Sequence, residues 1–527
     1  MLQSLRGVRR QAAAIPAREG RAFQHGDATS PKKKGGKILN SLLYFTSSIF
    51  FDTLSGCLHV LVGFASYGSQ RTINVGQPTS LSHPELLGED EITPGIATNE
   101  YISRRKKLVE LLPEKSLAII ASAPVKMMTD VVPYPFRQDA DYLYITGCLQ
   151  PGGIAVLGEE CGLCMFMPDP DPDDAAWQGP VSGVEAAFEF FKADKAFPMS
   201  QMHKILPQMM GRASRLFHNV KTASPSYMHL EPFHRATSEN KVKDLSIYTH
   251  EIRWIKSSSE LKLMRASASI ACQSLLQTML LSRVFPEESK LSAKVEYECK
   301  IRGAQRMAFH PVVGGGANGS IIHYSRNDQK IRAGDFVLMD IGCELHGYLS
   351  DLTRTWPTCG SFNSAQETLY SLILETNKEC VKLCKPGVSL QQIHNHSVNM
   401  LRRGLKEIGI LNDEASYTYH QLNPTSIGHY LGMDVHDCTL INIDRPLQPG
   451  VVITIEPGVY IPSSYDAPKS YRGIGIRIED EVLITETGHE VLTASMPKEI
   501  QHIKSLLNFS RGEGSEASDL RTACTWA

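Results

Sequence analysis

The stretch VLMDIGCELHGYLSDLTRT, residues 337–355, decides the fold, because it places two aspartates in apolar, strand-like surroundings. Asp340 and Asp351 stand eleven residues apart, with Gly342 and Gly347 between them. This spacing predicts two antiparallel strands joined through a hairpin, across which the carboxylates converge. Two buried carboxylates at short distance repel each other and need cations or protons to coexist. The stretch therefore predicts a metal or proton site built on a sheet.

Three further segments place ionisable residues among apolar ones. They are IGHYLGMDVHD (427–437), VVITIEPGVY (451–460) and GIRIEDEVLI (475–484). Taken singly, His429, Glu456 and Glu479 are each best explained as structural groups with satisfied hydrogen bonds. Taken together with the first stretch, they give four acids and one imidazole. Such mixed oxygen and nitrogen ligands suit a pair of Mn²⁺, Co²⁺ or Zn²⁺ ions.

These motifs, in this order, resemble those of the pita-bread metallopeptidases, the family of aminopeptidase P, prolidase and methionine aminopeptidase. The resemblance covers roughly residues 76–500. The stretches HYLGMDVHD (429–437) and TIEPGVYIP (454–462) are most similar to the mitochondrial branch of aminopeptidase P. The resemblance implies an α/β N-terminal domain followed by an α+β pita-bread catalytic domain.

The same resemblance implies a ligand set for two divalent metal ions, with Mn²⁺ as the expected metal. Asp351 and Glu479 would bridge the two ions. Asp340 would bind one of them, and His429 and Glu456 the other. We therefore expect a metallo-aminopeptidase that hydrolyses peptide bonds at the N-termini of peptides or proteins.

The resemblance also implies three catalytic residues and one further substrate contact. Glu456 would act as general base, while His436 and His323 would hold the scissile carbonyl and pass a proton to the leaving amine. Phe309 would touch substrate, although a core aromatic is the stronger interpretation of that residue alone. The glycine run before His323, VVGGGAN at 312–318, is not a phosphate loop, since no Gly-Lys-Ser/Thr follows it.

One departure from the family bears on specificity. Aminopeptidase P relatives usually have a histidine four residues before the metal histidine, whereas this chain has Thr425. That histidine is thought to help hold the proline end of the substrate. We therefore expect removal of a single bulky N-terminal residue from imported mitochondrial proteins after presequence cleavage. The alternatives are an Xaa-Pro aminopeptidase and a non-catalytic pita-bread binding protein.

The N-terminus has the composition of a mitochondrial transit peptide. Residues 1–37 contain nine basic and two acidic residues, a net charge of +7, so the remainder carries −9 of the chain's total of −2. Arg6, Arg9 and Arg10 accompany apolar residues at helical spacing, as in presequences. The apolar stretch 38–66 contains Asp52 at its centre, which disfavours a membrane span. The family resemblance adds a nucleus to the possible locations.

The chain divides, by its patterns, into four parts. These are a leader with its extra apolar segment (1–75), an N-terminal aminopeptidase P-type domain (76–250), the catalytic domain (251–500) and a disordered polar tail (501–527). In the second part we predict a helix over 101–112 and strands over 117–121 and 143–146. Ser257 and Glu260 form a capping-box signature, after which apolar residues recur at helical spacing.

Composition narrows the remaining function classes. A length of 527 residues, with 42% hydrophobic and 21% charged, excludes a disordered chain and a polytopic membrane protein. The near-neutral net charge argues against a nucleic-acid-binding protein. The twelve cysteines are scattered, and the lone Cys161–Cys164 pair is better explained by reduced core thiols than by a zinc site. A homodimer and an association with a membrane remain open.

Overall fold

The computed structural model describes residues 75–509 except 172–174, 178, 220–224 and 413–415. All of the described residues belong to one compact unit. The predicted leader up to residue 74, the apolar stretch 38–66 and residues 510–527 lie outside the described part.

A six-stranded mixed sheet organises the first part of the chain. The described residues of this part contain eight strands, of which the last six form the sheet. They are β1 (Glu91–Thr93), β2 (Ile96–Ala97), β3 (Ser116–Ala121), β4 (Ile154–Gly158), β5 (Gly162–Met167), β6 (Lys195–Pro198), β7 (Arg215–His218) and β8 (Val242–Asp244). The sheet order is β6-β5-β4-β3-β7-β8, and β1 pairs with β2 separately. Strand β4 is antiparallel to both of its neighbours, β3 and β5, whereas β6, β7 and β8 run parallel to their inner neighbours.

Helices cover both faces of this sheet. They are α1 (Thr98–Leu111), α2 (Ala140–Thr146), α3 (Val184–Glu189), α4 (Met202–Arg212), α5 (Glu231–Ser238) and α6 (Ser246–Trp254). Strand β3 shows why two faces are needed. Ala118 and Ile120 pack in the same cluster as Leu108 of α1. Ile119 packs with Leu206 of α4 instead. Because successive strand side chains point to opposite faces, a fully apolar strand needs cover on both sides.

The predicted strand over residues 143–146 is wrong, because this segment belongs to helix α2. The Asp139 carboxylate accepts a hydrogen bond from the Tyr142 backbone N–H at 3.0 Å and caps the helix. Gly147, at φ +73°, ends it in the left-handed conformation. A buried apolar run of four residues has no period that separates strand from helix, so the cap and the glycine are the informative signals.

Small antiparallel sheets build the catalytic domain. The strands are β9 (Arg306–Met307), β10 (Val312–Gly315), β11 (Phe336–Ile341), β12 (Cys343–Leu345), β13 (Tyr348–Leu349), β14 (Leu352–Pro357), β15 (Val452–Ile455), β16 (Gly458–Ile461), β17 (Ile474–Arg477), β18 (Asp480–Ile484) and β19 (His489–Val491). They form the sheets β10-β11-β14, β13-β12-β9, β15-β18-β19 and β16-β17. Strands β11 and β14 are antiparallel, as predicted, and Asp340 pairs with Thr353.

Helices pack against these sheets and enclose the main core. They are α7 (Ser258–Leu281), α8 (Glu288–Ile301), α9 (Ser364–Leu383), α10 (Leu390–Glu407), α11 (Ser416–Leu422) and α12 (Ile500–Phe509). The capping box predicted at the start of α7 is confirmed: the Glu260 N–H donates to Ser257 Oγ at 3.2 Å, and the Ser257 N–H donates to Glu260 Oε2 at 2.8 Å. Met264, Leu275 and Met279 on its apolar face are buried.

Two boundaries differ from the sequence prediction. Helix α6 runs through residue 250, so we propose that the division between the domains lies at 255–257, between α6 and α7. Residues 501–509, predicted to be disordered, belong to helix α12. Its Ile503 and Leu507 side chains are fully buried in the main core, which explains why the helix is ordered. Within the described residues, no helix is both long enough and apolar enough to cross a membrane.

Candidate active site

A cavity of about 830 Å³ in the catalytic domain collects the side chains that the sequence singled out. They are Phe309, His323, Asp340, Asp351, His429, His436, Glu456 and Glu479. They come from strands and loops far apart in sequence, so only folding brings them together. The structure thus places all eight residues at one site, and their individual roles stay predictions.

Strand ends and backbone hydrogen bonds position three of the carboxylates. Asp340 is near the end of β11, and Asp351 directly precedes β14, the neighbouring strand. Glu479 lies between β17 and β18, and its N–H donates to the Thr353 carbonyl of β14 at 3.1 Å. Asp351 and Glu479 can therefore face the same point, and each is at most 4% exposed.

His429 and Glu456 are held side by side by the loop before β15. The Glu456 N–H donates to the Ile427 carbonyl at 2.7 Å, and the Thr454 N–H donates to the His429 carbonyl at 2.9 Å. His429 Nδ1 lies 3.1 Å from the Tyr430 carbonyl oxygen, which can only accept, so Nδ1 carries the proton. Nε2 then presents its lone pair to the cavity, as a metal-binding imidazole requires.

Without a bound cation, burial and mutual repulsion disfavour the ionised form of these carboxylates. Burial, and then the neighbouring carboxylates, raise the pKa of Asp351 and of Glu479 well above the ordinary values. Burial also raises the pKa of Glu456, although His429 opposes that shift. His429 Nε2 lies 3.4 Å from Asp351 Oδ2 and 3.6 Å from Glu456 Oε1. A cation at this point would stabilise the ionised form of all three carboxylates.

The donor set fits divalent metal ions. Ligand atoms of Asp351, His429 and Glu479 all lie within 4.8 Å of one another. Asp340 Oδ1 is buried and has no hydrogen-bond partner in the described part of the chain, so it is available as a further ligand. Carboxylate oxygens with one imidazole nitrogen form a set that Mn²⁺, Co²⁺ or Zn²⁺ accepts.

A buried arginine beneath these ligands has no role in our sequence interpretation. Arg477 is 2% exposed and donates to Asp340 Oδ2 at 2.6 Å, to Tyr460 Oη at 2.7 Å and to Thr353 Oγ1 at 3.1 Å. Thr353 Oγ1 in turn donates to Glu479 Oε2 at 2.6 Å. A charged residue inside the apolar strand GIRIED, two positions before Glu479, was the signal that could have identified it.

The remaining predicted residues surround the ligands without joining them. The His436 and His429 rings meet edge to face, with centroids 4.5 Å apart. Burial, His429 and His323 lower the pKa of His436, which favours the neutral imidazole. His323, Phe309 and Thr425 line the same cavity, together with apolar side chains of several loops. The cavity therefore contains apolar side chains as well as the predicted ligands.

Two protein-family models match this chain. Residues 101–217 match the N-terminal domain of aminopeptidase P, and residues 262–486 match metallopeptidase family M24. The first match contains most of the six-stranded sheet, and the second contains all five predicted ligands. The predicted fold, an α/β N-terminal domain before a mixed catalytic domain, is confirmed by these matches.

Individual proteins show the same relationship along most of the chain. Intermediate cleaving peptidase 55, mitochondrial, from Arabidopsis thaliana is 67% identical over 443 residues, which cover 84% of this chain and 90% of that protein. Human Xaa-Pro aminopeptidase 3 is 37% identical and covers 82% and 90%. The solved structure of E. coli aminopeptidase P with the inhibitor Pro-Leu superposes with a TM-score of 0.74 at 32% identity, covering 79% of this chain and 100% of that one.

These similarities confirm several sequence predictions. The mitochondrial location agrees with the Arabidopsis relative, whereas a nuclear location stays a prediction. The use of divalent metal is a property of the matched family, and peptides are its substrates. An enzyme is thereby supported over a non-catalytic binding protein. The chain belongs to the aminopeptidase P branch of metallopeptidase family M24, the pita-bread metallopeptidases, and is a metallo-aminopeptidase.

Proposed function

We propose that this enzyme removes a single bulky, apolar N-terminal residue from imported mitochondrial proteins after their presequences have been cleaved. The observation that carries the proposal is the cavity around the ligands. Besides the ligands, its lining includes several apolar and aromatic side chains, and it has Thr425 where the family resemblance expects a histidine. The apolar side chains are Phe309, Val312, Ile322, Tyr430, Val435, Ile441 and Ile443. Such a lining favours a large apolar side chain.

The five predicted ligands would hold two divalent ions, with Mn²⁺ as our proposed metal. Asp340, Asp351, His429, Glu456 and Glu479 would together supply the carboxylate oxygens and the imidazole nitrogen that hold these ions. Bound there, the ions would supply an activated water and positive charge beside the scissile carbonyl. Without them, Asp351 and Glu479 would remain two acids that burial drives toward the neutral form.

The protein's own residues would carry the proton transfers. Glu456, which lines the cavity, would accept a proton from the attacking water. His436 and His323 would hold the carbonyl oxygen of the scissile bond and support proton delivery to the leaving amine. Phe309 would contact the side chain of the residue that is removed.

A second candidate, an Xaa-Pro aminopeptidase, is favoured by the human relative, which is named Xaa-Pro aminopeptidase 3. The two candidates differ in the residue after the scissile bond. An Xaa-Pro enzyme requires proline there, whereas the single-residue trimming we propose depends on the first residue. The name of the Arabidopsis relative, intermediate cleaving peptidase, favours trimming.

An assay with Mn²⁺ and three peptides tests the proposal. The peptides begin with Phe, with Tyr, or with a small residue followed by Pro, and the enzymes are wild type and Glu456→Gln. We expect wild type to release Phe and Tyr, and Glu456→Gln to lower kcat at least about 100-fold, as expected for loss of a general base. Metal content is measured for both proteins, because Glu456 is also a proposed ligand.

Glu490→Gln is a matched control, since it makes the same change at a surface position of β19 and should keep full activity. Equal turnover by wild type and Glu456→Gln would refute the mechanism. Turnover of Xaa-Pro peptides alone would refute the trimming function and leave the second candidate.

A further inference from the structure

The segment that presents His436 has no regular structure of its own. Residues 431–438 form neither helix nor strand. Backbone hydrogen bonds attach both ends of the segment: the Leu431 N–H donates to the Val452 carbonyl at 3.1 Å, the Leu349 N–H to the Gly432 carbonyl at 2.9 Å and the Asp437 N–H to the Tyr430 carbonyl at 2.9 Å. In the described part of the chain, no residue makes a hydrogen bond to the His436 imidazole itself. The position of His436 therefore depends on what holds residues 431–438.

Arg253 of helix α6 holds the C-terminal end of this segment. Its guanidinium is 3% exposed and donates to Asp437 Oδ1, directly after His436. It also donates to Asp434 Oδ2 at 3.2 Å and to Asp141 Oδ1 of helix α2 at 2.6 Å. Although burial opposes its charge, Asp437, Asp141 and Asp434 raise the pKa of Arg253 well above its ordinary value. The arginine thus ties α2 to both sides of His436.

Arg137 of the N-terminal domain holds the other end. Its Nη2 donates to the Met433 carbonyl, and its Nη1 donates to Asp434 Oδ1 at 3.3 Å. Its Nε donates to Glu344 Oε2 of β12 at 2.7 Å. Asp434 therefore lies between two guanidinium groups, one from Arg137 and one from Arg253. We call these two residues the arginine clamp.

The clamp is part of a charge-balanced cluster. Glu344 also pairs with Arg306, and Asp437 Oδ2 lies 3.5 Å from Lys256 Nζ. Four acidic and four basic side chains thereby meet between the domains. The acidic ones are Asp141, Glu344, Asp434 and Asp437, and the basic ones are Arg137, Arg253, Lys256 and Arg306.

The Asp437 carboxylate packs directly against the backbone of Gly432. A Cβ atom at Gly432 would collide with Asp437 Oδ2, so only glycine allows that carboxylate to fold back over the segment. Each clamp arginine donates to three acceptors at once, and charge-assisted hydrogen bonds of this kind hold their partners in a defined geometry. Here the fixed geometry is that of the residues on either side of His436.

We propose that Arg137 and Arg253 are positioning residues, through which the N-terminal domain sets the place of His436 in the active site. The proposal rests on the catalytic role proposed above for His436. Its consequence is that the N-terminal domain contributes to the rate of the reaction, although none of its described residues forms a hydrogen bond or an ion pair with a predicted metal ligand. Misplacing a catalytic group by about 1 Å can cost roughly 100-fold in rate.

A double-mutant cycle with the full-length enzyme tests this proposal. The variants are Arg137→Gln, His436→Ala and the combination, assayed for kcat, KM, metal content and thermal unfolding. Arg137 is chosen because its side chain is 35% exposed, so that replacement leaves no fully buried cavity. We expect Arg137→Gln to lower kcat about 10- to 100-fold with unchanged metal content. In the His436→Ala background it should lower kcat no more than about twofold.

Two variants support the cycle. Arg265→Gln is the matched control, because it removes a bidentate arginine–glutamate pair, with Glu490, at a position 45% exposed and remote from His436. It should keep wild-type kcat. If Arg137→Gln unfolds below the assay temperature, Asp434→Asn removes the acceptor that both clamp arginines share and takes its place in the cycle.

The outcomes separate the two proposals. Wild-type kcat in Arg137→Gln, or the same fold loss with and without His436, would overturn the clamp and leave the role of His436 intact. If Arg137→Gln only damages the structure, its loss of kcat should add to the loss caused by His436→Ala. The temperature of unfolding and the metal content should then fall as well. Full activity of His436→Ala would overturn the catalytic role of His436 and the clamp with it.

Discussion

At the scale of single residues, Thr425 is the informative departure in an otherwise complete site. It lines the cavity four positions before His429, and its hydroxyl and N–H both engage Asn423 Oδ1 at 3.2 Å. The threonine therefore completes a local turn, and its side chain is occupied. An imidazole at this position could instead reach a substrate group, since histidine is longer and has two ring nitrogens that can donate or accept hydrogen bonds.

We predict that Thr425→His shifts specificity toward Xaa-Pro peptides. A hydrogen bond that involves a charged group contributes about 1.5–3 kcal/mol, so the ratio of kcat/KM for Xaa-Pro over Phe-starting peptides should rise roughly tenfold or more. Ser426→His is the matched control, because it adds the same ring at the neighbouring position of the same cavity. An unchanged ratio in Thr425→His, or an equal rise in the control, would contradict this role of position 425.

At the scale of elements, the start of helix α7 joins the two domains. Ser257 Oγ accepts the Glu260 N–H of the capping box and also donates to Glu100 Oε1 of helix α1 at 2.7 Å. The same Glu100 carboxylate oxygen accepts Arg104 Nη2 at 2.6 Å. One hydroxyl thus caps the N-terminus of α7 and binds a helix of the other domain. The capping box therefore has a tertiary role that its sequence signature does not reveal.

We predict that Ser257→Ala costs more stability than an ordinary cap. Loss of the cap alone lowers the free energy of unfolding by about 1 kcal/mol. Loss of the bond to the Glu100 carboxylate adds about 1.5–3 kcal/mol. Ser389→Ala, which breaks the capping box of α10, is the control and should cost only about 1 kcal/mol. Urea unfolding of both variants measures the difference, and equal losses would refute the tertiary role.

At the scale of the whole molecule, the catalytic domain gathers like charges at one point. The five predicted ligands are distributed over residues 340–479 and come from separate strands and loops. The folded protein therefore brings four acids together that the unfolded chain keeps apart. Metal binding should offset the repulsion among these acids and stabilise the folded state, because the assembled ligand set exists only in that state.

We predict that Mn²⁺ stabilises the metal-free protein against unfolding. At free metal about 1,000 times the dissociation constant, the free energy of unfolding should rise by about 4 kcal/mol. The rise is measured by urea unfolding in chelator and in Mn²⁺. Asp351→Asn, which removes a proposed bridging ligand, should show a much smaller rise. A wild-type midpoint that does not respond to Mn²⁺ would contradict a native metal site.

The sequence by itself determined the family, the five candidate ligands and the order of the two domains. The family and the domain order follow from the resemblance of the motifs to those of a known family. The candidate ligands also follow from local patterns, namely acids inside apolar strands and the spacing of Asp340 and Asp351. Such patterns can be recognised without a structure, because they depend only on residues that are near one another in the sequence. The sequence also identified the basic N-terminus as a mitochondrial signal, which agrees with the Arabidopsis relative.

Only the tertiary structure decided the helix at 140–146, the buried Arg477 beneath the ligands and the arginine clamp. A short buried run has no period that separates helix from strand, so packing decides. Arg477 contacts Asp340 across 137 residues, and Arg137 reaches Asp434 across 297. Partners at such separations are chosen by how sheets and domains pack, and that information is not contained in any local stretch of sequence.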